Sequence, residues 1–163
     1  MDTLAAQVGA ALKSHGLMLA TAESCTGGGV AQAITGVAGS SAWFERGFVT
    51  YSNRAKQEML GVAAGTLAQD GAVSGATVRE MVAGALQNSA AQVAVAVSGI
   101  AGPGGGTTEK PVGTVWFAWS IRGGASRATC HHFSGSRSEI RADAVRVALR
   151  GILDLLNQHT LLV

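Results

Sequence analysis

The sequence has little cysteine, little charge, few aromatic residues and almost no proline. Two cysteines, Cys25 and Cys130, are too few for a disulfide framework, so a reduced protein of the cytoplasm is the simpler expectation. Charged residues make up 13% of the 163, and 12 basic against 10 acidic side chains leave a formal net charge of +2. That balance supplies no basic stripe for nucleic acid and no strong pull toward an anionic membrane. No apolar run approaches the ~20 residues of a membrane span; the longest, around Leu17–Ala22 and Val93–Val97, have the length of strands. Met1-Asp2-Thr3 lacks the basic and apolar regions of a signal peptide, which again points to the cytoplasm. With no H-x-x-x-H, no paired carboxylates and scattered cysteines, neither a metal site nor a bound cofactor is expected. What the chain does have is 47% hydrophobic residues and 23 glycines. It can build a packed core with glycine-made turns, and one domain over residues 1–163 is expected.

Leu4, Val8, Ala11 and Leu12 recur at helical spacing, with Gly16 placed to end the helix. Leu17–Ala22 reads as a buried strand, followed by the turn Glu23–Gly29 and a helix near Val30–Thr35. Phe48–Tyr51 reads as a second strand. Asn53 is a plausible cap for a helix through Lys56 to Leu60. Thr77 and Glu80 fit a capping box, although Ser74 offers an earlier start; that helix runs to about Leu86. Gln92–Ser98 is apolar and β-branched, as in a central strand. Gly113–Ile121 and Arg127–Phe133 form a hairpin about Arg122-Gly123-Gly124. Ser136 and Glu139 box the start of a last helix over Ser138–Asn157. Early strand–helix alternation predicts an α/β fold with a parallel sheet, to which the hairpin adds an antiparallel strand.

In such sheets ligands bind at the carboxyl ends of the strands. Three loops are expected there: Glu23–Gly29, Ser52–Asn53 and Gly99–Gly106, the third being part of a 14-residue loop, Gly99–Val112, long enough to suggest function. The first is neither a Walker loop nor a G-x-G-x-x-G fingerprint, and a glycine-rich cap explains it equally well. His15 suits a helix end, and the adjacent His131 and His132 point to opposite faces of a strand, so no Ser–His–Asp triad is indicated. Lys56 reads first as a solvated helix lysine. To act as a base it would need burial or a neighbouring cation to bring its pKa down by several units.

Four ordered segments say more: Ala22-Glu23-Ser24-Cys25-Thr26-Gly27-Gly28, Gly39-Ser40-Ser41 through Tyr51-Ser52-Asn53, Ser98-Gly99-Ile100-Ala101-Gly102-Pro103 and Lys110-Pro111-Val112-Gly113-Thr114-Val115. Together they resemble the CinA C-terminal domain family over nearly the whole chain. The resemblance implies a three-layer α/β/α sandwich with a mixed, mostly parallel sheet. It also implies hydrolysis of the carboxamide of nicotinamide mononucleotide (NMN) to nicotinate mononucleotide and ammonia, in pyridine-nucleotide recycling, by a homodimer. A serine–lysine pair is implied, with Ser41 as nucleophile, Lys56 as base and Tyr51 as an assisting hydroxyl; the oxyanion hole then falls near Gly39–Ser41. Ser24, Ser98 and Gly99 match other substrate positions. The phosphate is expected on the amides of Thr26, Gly27 and Gly28 and on an arginine of the last helix, Arg137 or else Arg141. The longer members' additional pyrophosphatase domain is not expected. Two rival readings remain: a nucleotide-binding module without catalysis, and an interaction protein tied to competence or DNA damage.

Overall fold

The computed structural model describes residues 2–162, with side chains described through His159. Six helices and five strands follow in the order α1 (Asp2–Ser14), β1 (Leu19–Glu23), α2 (Gly29–Thr35), β2 (Phe44–Val49), α3 (Asn53–Leu60), α4 (Ala64–Asp70), α5 (Gly75–Gln87), β3 (Val93–Gly99), β4 (Thr114–Ile121), β5 (Arg127–His132) and α6 (Arg137–Leu162). A single 3-10 turn, Ser40–Ala42, precedes β2.

The strands form one sheet in the order β2-β1-β3-β4-β5. β1 pairs in parallel with both β2 and β3, whereas β4 runs antiparallel to β3 and β5. Four strands therefore point one way and β4 alone runs against them. The two central strands are buried along almost their whole length, and their sequences, Leu-Ala-Thr-Ala-Glu and Val-Ala-Val-Ala-Val-Ser-Gly, are correspondingly apolar until the last residues. Those last residues, Glu23, Ser98 and Gly99, open onto one end of the sheet.

Both faces are covered. Alternate residues of β1, β3 and β4 (Leu19, Val93, Val95, Val97, Phe117 and Trp119 among them) pack with α1, α2 and α6. The intervening alanines, Ala20, Ala22, Ala94, Ala96 and Ala118, pack with α3 and α5. The alanine face lets α5 lie close to the sheet. Gly84 of α5 is tighter still, because a Cβ there would overlap the Leu60 carbonyl at the end of α3. The α/β/α sandwich implied by the resemblance is thus present.

Four local expectations need correction. β2 begins at Phe44, four residues before the expected Phe48; as an edge strand carrying Glu45, Arg46 and Gly47 it lacks the alternation that marks a half-buried strand. α4 was not expected, since Ala63 gives it no side-chain cap. Ser52, not Asn53, caps α3, its hydroxyl accepting from Ala55 N at 3.0 Å. Ser74, not Thr77, caps α5, its hydroxyl accepting from Thr77 N at 3.1 Å, and Glu80 instead accepts from Ala63 N and Thr66 Oγ1 across to α4.

Candidate active site

The carboxyl ends of β1, β2 and β3 converge on a cavity of about 230 Å³ lined by Ser24, Tyr51, Asn53, Lys56, Ser98 and Arg137, with Cys25, Ala72, Val73, Gly99 and Ala101 completing the wall. Wider hollows exist, such as one of about 470 Å³ between the β4–β5 turn and the far part of α6, but its lining of Ile121, Leu155, His159 and neighbours pairs no nucleophile with a base.

Lys56 is the anomaly of the site. Helical spacing places it with Leu60 on the inward face of α3, and both are buried. Only 1% of the lysine is exposed. Its Nζ donates to the Thr50 carbonyl at 3.1 Å, the Tyr51 carbonyl at 3.1 Å and Ser24 Oγ at 3.0 Å. Burial holds its pKa below the ordinary lysine value, opposed by the nearby Cys25 sulfur. An ammonium could donate to all three oxygens. The neutral amine keeps two N–H bonds for the two carbonyls and turns its lone pair toward the Ser24 hydroxyl, the geometry of a general base poised on a nucleophile.

Ser24 is 7% exposed and stands directly after β1, its N–H held by the Val97 carbonyl of β3 at 2.9 Å. Glu23 beside it is buried, and its carboxylate accepts from Thr26 Oγ1 at 2.6 Å, Val30 N at 2.8 Å and Ala31 N at 3.0 Å. That carboxylate occupies the N-terminus of α2, where the helix dipole favours negative charge. Cys25 is buried too, and desolvation pushes its thiol up to about 11, so it is a neutral wall at working pH and no competing nucleophile.

Ser41 does not join this group. It is exposed in the 3-10 turn at the opposite end of β2. Five strand steps of about 3.3 Å put the two ends of β2 about 17 Å apart, and Lys56 lies beyond the far one. The pairing of Ser41 with Lys56, and an oxyanion hole at Gly39–Ser41, are therefore excluded by topology: the loop before a parallel strand cannot meet the loop after it. Ser24 is the serine on Lys56.

Tyr51 contributes its backbone carbonyl to Lys56. Its ring is 62% exposed and its hydroxyl meets Arg137 Nη2 at 3.4 Å, at the mouth rather than between Ser24 and Lys56. Arg137 also donates to the Gly102 carbonyl at 2.7 Å. Ser98 and Gly99 line the cavity, Ser98 Oγ donating to the Ala72 carbonyl at 2.8 Å. A Cβ at Gly99 would press on Thr114 O and Val115, so the glycine is needed for the β3–β4 approach. Thr26, Gly27 and Gly28 stand behind the cavity instead of lining it. The Thr26 hydroxyl is bound to Glu23, and the N-terminus of α2, expected to hold a phosphate, already holds that carboxylate. Arg141 turns to the Cys25 and Thr26 carbonyls at 3.1 and 3.2 Å, away from the lining. Cys25, Asn53, Ala72, Val73 and Ala101 line the cavity without being candidates from the sequence. Asn53 was read only as a cap, and the connection holding Ala72 and Val73 carries no distinctive residue type. His131 packs its ring against Phe117 and Phe133, at 5.4 and 5.6 Å between centroids, far from the dyad in the fold. Among the described residues no three His, Cys, Asp or Glu side chains gather as metal ligands, and no helix is long and apolar enough to cross a membrane.

The chain is similar to known proteins over nearly its whole length. The family described as the CinA C-terminal domain matches residues 1–156. The chain is 57% identical over 159 residues to the nicotinamide-nucleotide amidohydrolase PncC of Escherichia coli K12, covering 96% of this chain and 95% of that one. It is 52% identical over 157 residues to the protein of the same name in Pseudomonas putida, covering 95% and 96%. Among solved structures, a CinA superfamily protein of Klebsiella pneumoniae superposes with a TM-score of 0.93 at 43% identity, covering 96% of this chain and 98% of that one.

Proposed function

The chain belongs to the CinA C-terminal domain family, and from that premise we propose that it is a nicotinamide-nucleotide amidohydrolase that converts NMN and water to nicotinate mononucleotide and ammonia. One observation carries the reading: a buried lysine whose Nζ lies 3.0 Å from the hydroxyl of a serine at the wall of a cavity. Near-full-length relatives named for this activity support the substrate.

The reaction runs as acyl transfer. Neutral Lys56 takes the Ser24 proton as Oγ attacks the carboxamide carbon. The backbone N–H of Cys25, the residue after Ser24 that also lines the cavity, donates to the developing oxyanion, a contribution worth ~10²–10³ in rate. The ammonium of Lys56 then returns its proton to the departing nitrogen as the C–N bond breaks and ammonia leaves. Water, deprotonated by the same lysine, hydrolyses the ester on Ser24. A cavity of about 230 Å³ takes the pyridine ring and carboxamide, which leaves ribose and phosphate at the mouth, where Arg137 supplies a fork for the phosphate and the Tyr51 ring a rim. A homodimer in the cytoplasm, one domain sufficing for activity, and a place in pyridine-nucleotide recycling belong to the same proposal.

The rival reading, a nucleotide-binding module without catalysis, leaves unexplained why a lysine is buried on a serine. The test is ammonia release from NMN by the purified chain, with free nicotinamide as comparison. NMN turnover far above that of nicotinamide is expected. Binding of NMN with no ammonia would establish the module instead, and equal rates on the two amides would remove the nucleotide from the specificity.

A further inference from the structure

The first turn of α6 is fixed by a reciprocal box: Glu139 N donates to Ser136 Oγ at 3.2 Å and Ser136 N to Glu139 Oε1 at 3.0 Å. Two arginines one turn apart leave this rigid start in different directions. Arg137 goes to the mouth of the cavity. Arg141 goes to the loop that carries Ser24, where Nε and Nη2 hold the successive carbonyls of Cys25 and Thr26, more than a hundred residues away in sequence. On the other side of the same loop the buried Glu23 carboxylate holds Thr26 Oγ1 and the first amides of α2.

We propose that Arg141 is a positioning residue for the nucleophile: it sets the peptide planes after Ser24 and contacts no substrate. A trans peptide is planar, so a carbonyl aimed at the guanidinium turns the N–H of the next residue the opposite way. Fixing the Cys25 carbonyl thereby fixes the direction of the Thr26 N–H. Fixing the Thr26 carbonyl fixes the Gly27 N–H, which closes the turn on the Ser24 carbonyl at 3.0 Å. Gly27 sits at φ +59, a conformation that a non-glycine residue rarely holds, and a Cβ there would lie 3.4 Å from Arg141 Nη2. With the guanidinium removed, the Cys25 carbonyl loses its donor and the Thr26 carbonyl keeps only the Gly29 N–H at 2.9 Å, so the peptide planes directly after Ser24 are held less firmly. The Ser24 hydroxyl then leaves the line of the Lys56 lone pair, while the cavity walls that bind substrate stay in place. A displacement of about 1 Å at reacting atoms costs on the order of 10²-fold in rate.

This inference rests on the Ser24–Lys56 reading, and its test separates the two. Steady-state kinetics on NMN are compared for the wild type, Arg141→Gln, Arg141→Lys and Arg137→Gln. NMN binding by calorimetry is compared for Ser24→Ala with and without Arg141→Gln. Arg141→Gln is expected to lower kcat about 10²-fold with KM within about threefold, and to leave binding to the Ser24→Ala protein unchanged. Arg141→Lys, which keeps a donor for one carbonyl, should recover about tenfold of that loss. Arg137→Gln should raise KM and weaken binding. Melting curves report folding; if the glutamine protein does not fold, Arg141→Lys alone decides, and an unchanged kcat there overturns the positioning role. A raised KM with kcat intact in either Arg141 variant would make Arg141 a substrate ligand. A wild type inert toward NMN fails the amidohydrolase reading itself and takes this inference with it.

Discussion

Replacing Lys56 by arginine keeps the positive charge and the ability to donate to the Thr50 and Tyr51 carbonyls, and removes the lone pair. Arginine does not deprotonate near neutral pH. Losing a general base costs ~10²–10⁴ in kcat, which corresponds to about 2.7–5.4 kcal/mol of barrier at 1.36 kcal/mol per tenfold. The position is 1% exposed, so the larger guanidinium also overpacks it, at ~1–3 kcal/mol of folding stability. Kinetics and thermal melting of the same preparation separate the two effects. The wild-type pH profile carries the sign. Lys56 must be neutral to act, and burial lowers its pKa, so kcat should rise with pH along a limb whose midpoint lies below the usual lysine value of about 10.4. Lys56→Arg should lack that limb. The same lowered pKa means that the folded state resists protonation. Relative to Lys56→Met, wild-type stability should rise as pH climbs toward the unfolded value and fall as pH drops through the folded one. Combined with Ser24→Ala, Lys56→Arg should add little, since a nucleophile and its base fail together. A well-folded Lys56→Arg protein with near-normal kcat would refute the general-base assignment.

Other consequences can be checked more briefly. Gly84→Ala should destabilise by up to about 2 kcal/mol, the ~1–3 kcal/mol cost of overlap with the Leu60 carbonyl less the ~1 kcal/mol that alanine gains over glycine in a helix; a raised melting temperature would contradict the close α3–α5 approach. Activity should survive dialysis against a chelator, since the proposed acyl transfer uses only Ser24 and Lys56; loss of activity restored by a divalent ion would contradict it. Cys25, buried and with its thiol pushed to about 11, should resist iodoacetamide at pH 7.5 in the folded enzyme, and rapid inactivation through Cys25 would contradict its placement.

Much of this could be read from the residues. The apolar runs of β1 and β3, the hairpin, and the Ser136–Glu139 box mark the order of elements, because full burial and reciprocal capping leave strong local marks, whereas the three layers came with the family resemblance. The site was read less well, for a physical reason. β2 is an edge strand with Glu45, Arg46 and Gly47 in its middle, so its pattern hides its start. Begun at Phe48, it leaves Ser41 in a loop of no fixed end; begun at Phe44, it sends Ser41 to the amino end of the sheet, away from the chemistry. Lys56 stands among the polar Arg54, Gln57 and Glu58, and its place one turn before the apolar Leu60 is the one local sign that its side chain faces inward. Arg137 and Arg141 were both legible at the helix start. Which of them faces the cavity depends on where α6 crosses the Ser24 loop, a long-range relation with no local signal.

The most direct test of the account is ammonia release from NMN by Ser24→Ala and Ser41→Ala measured side by side. Ser24 stands on the buried lysine, and Ser41 is exposed at the other end of β2. Ser24→Ala is expected to lose at least ~10³-fold in kcat while keeping its melting temperature, and Ser41→Ala to stay within about twofold of the wild type. An inactive Ser41→Ala protein beside an active Ser24→Ala protein would contradict the assignment of the nucleophile.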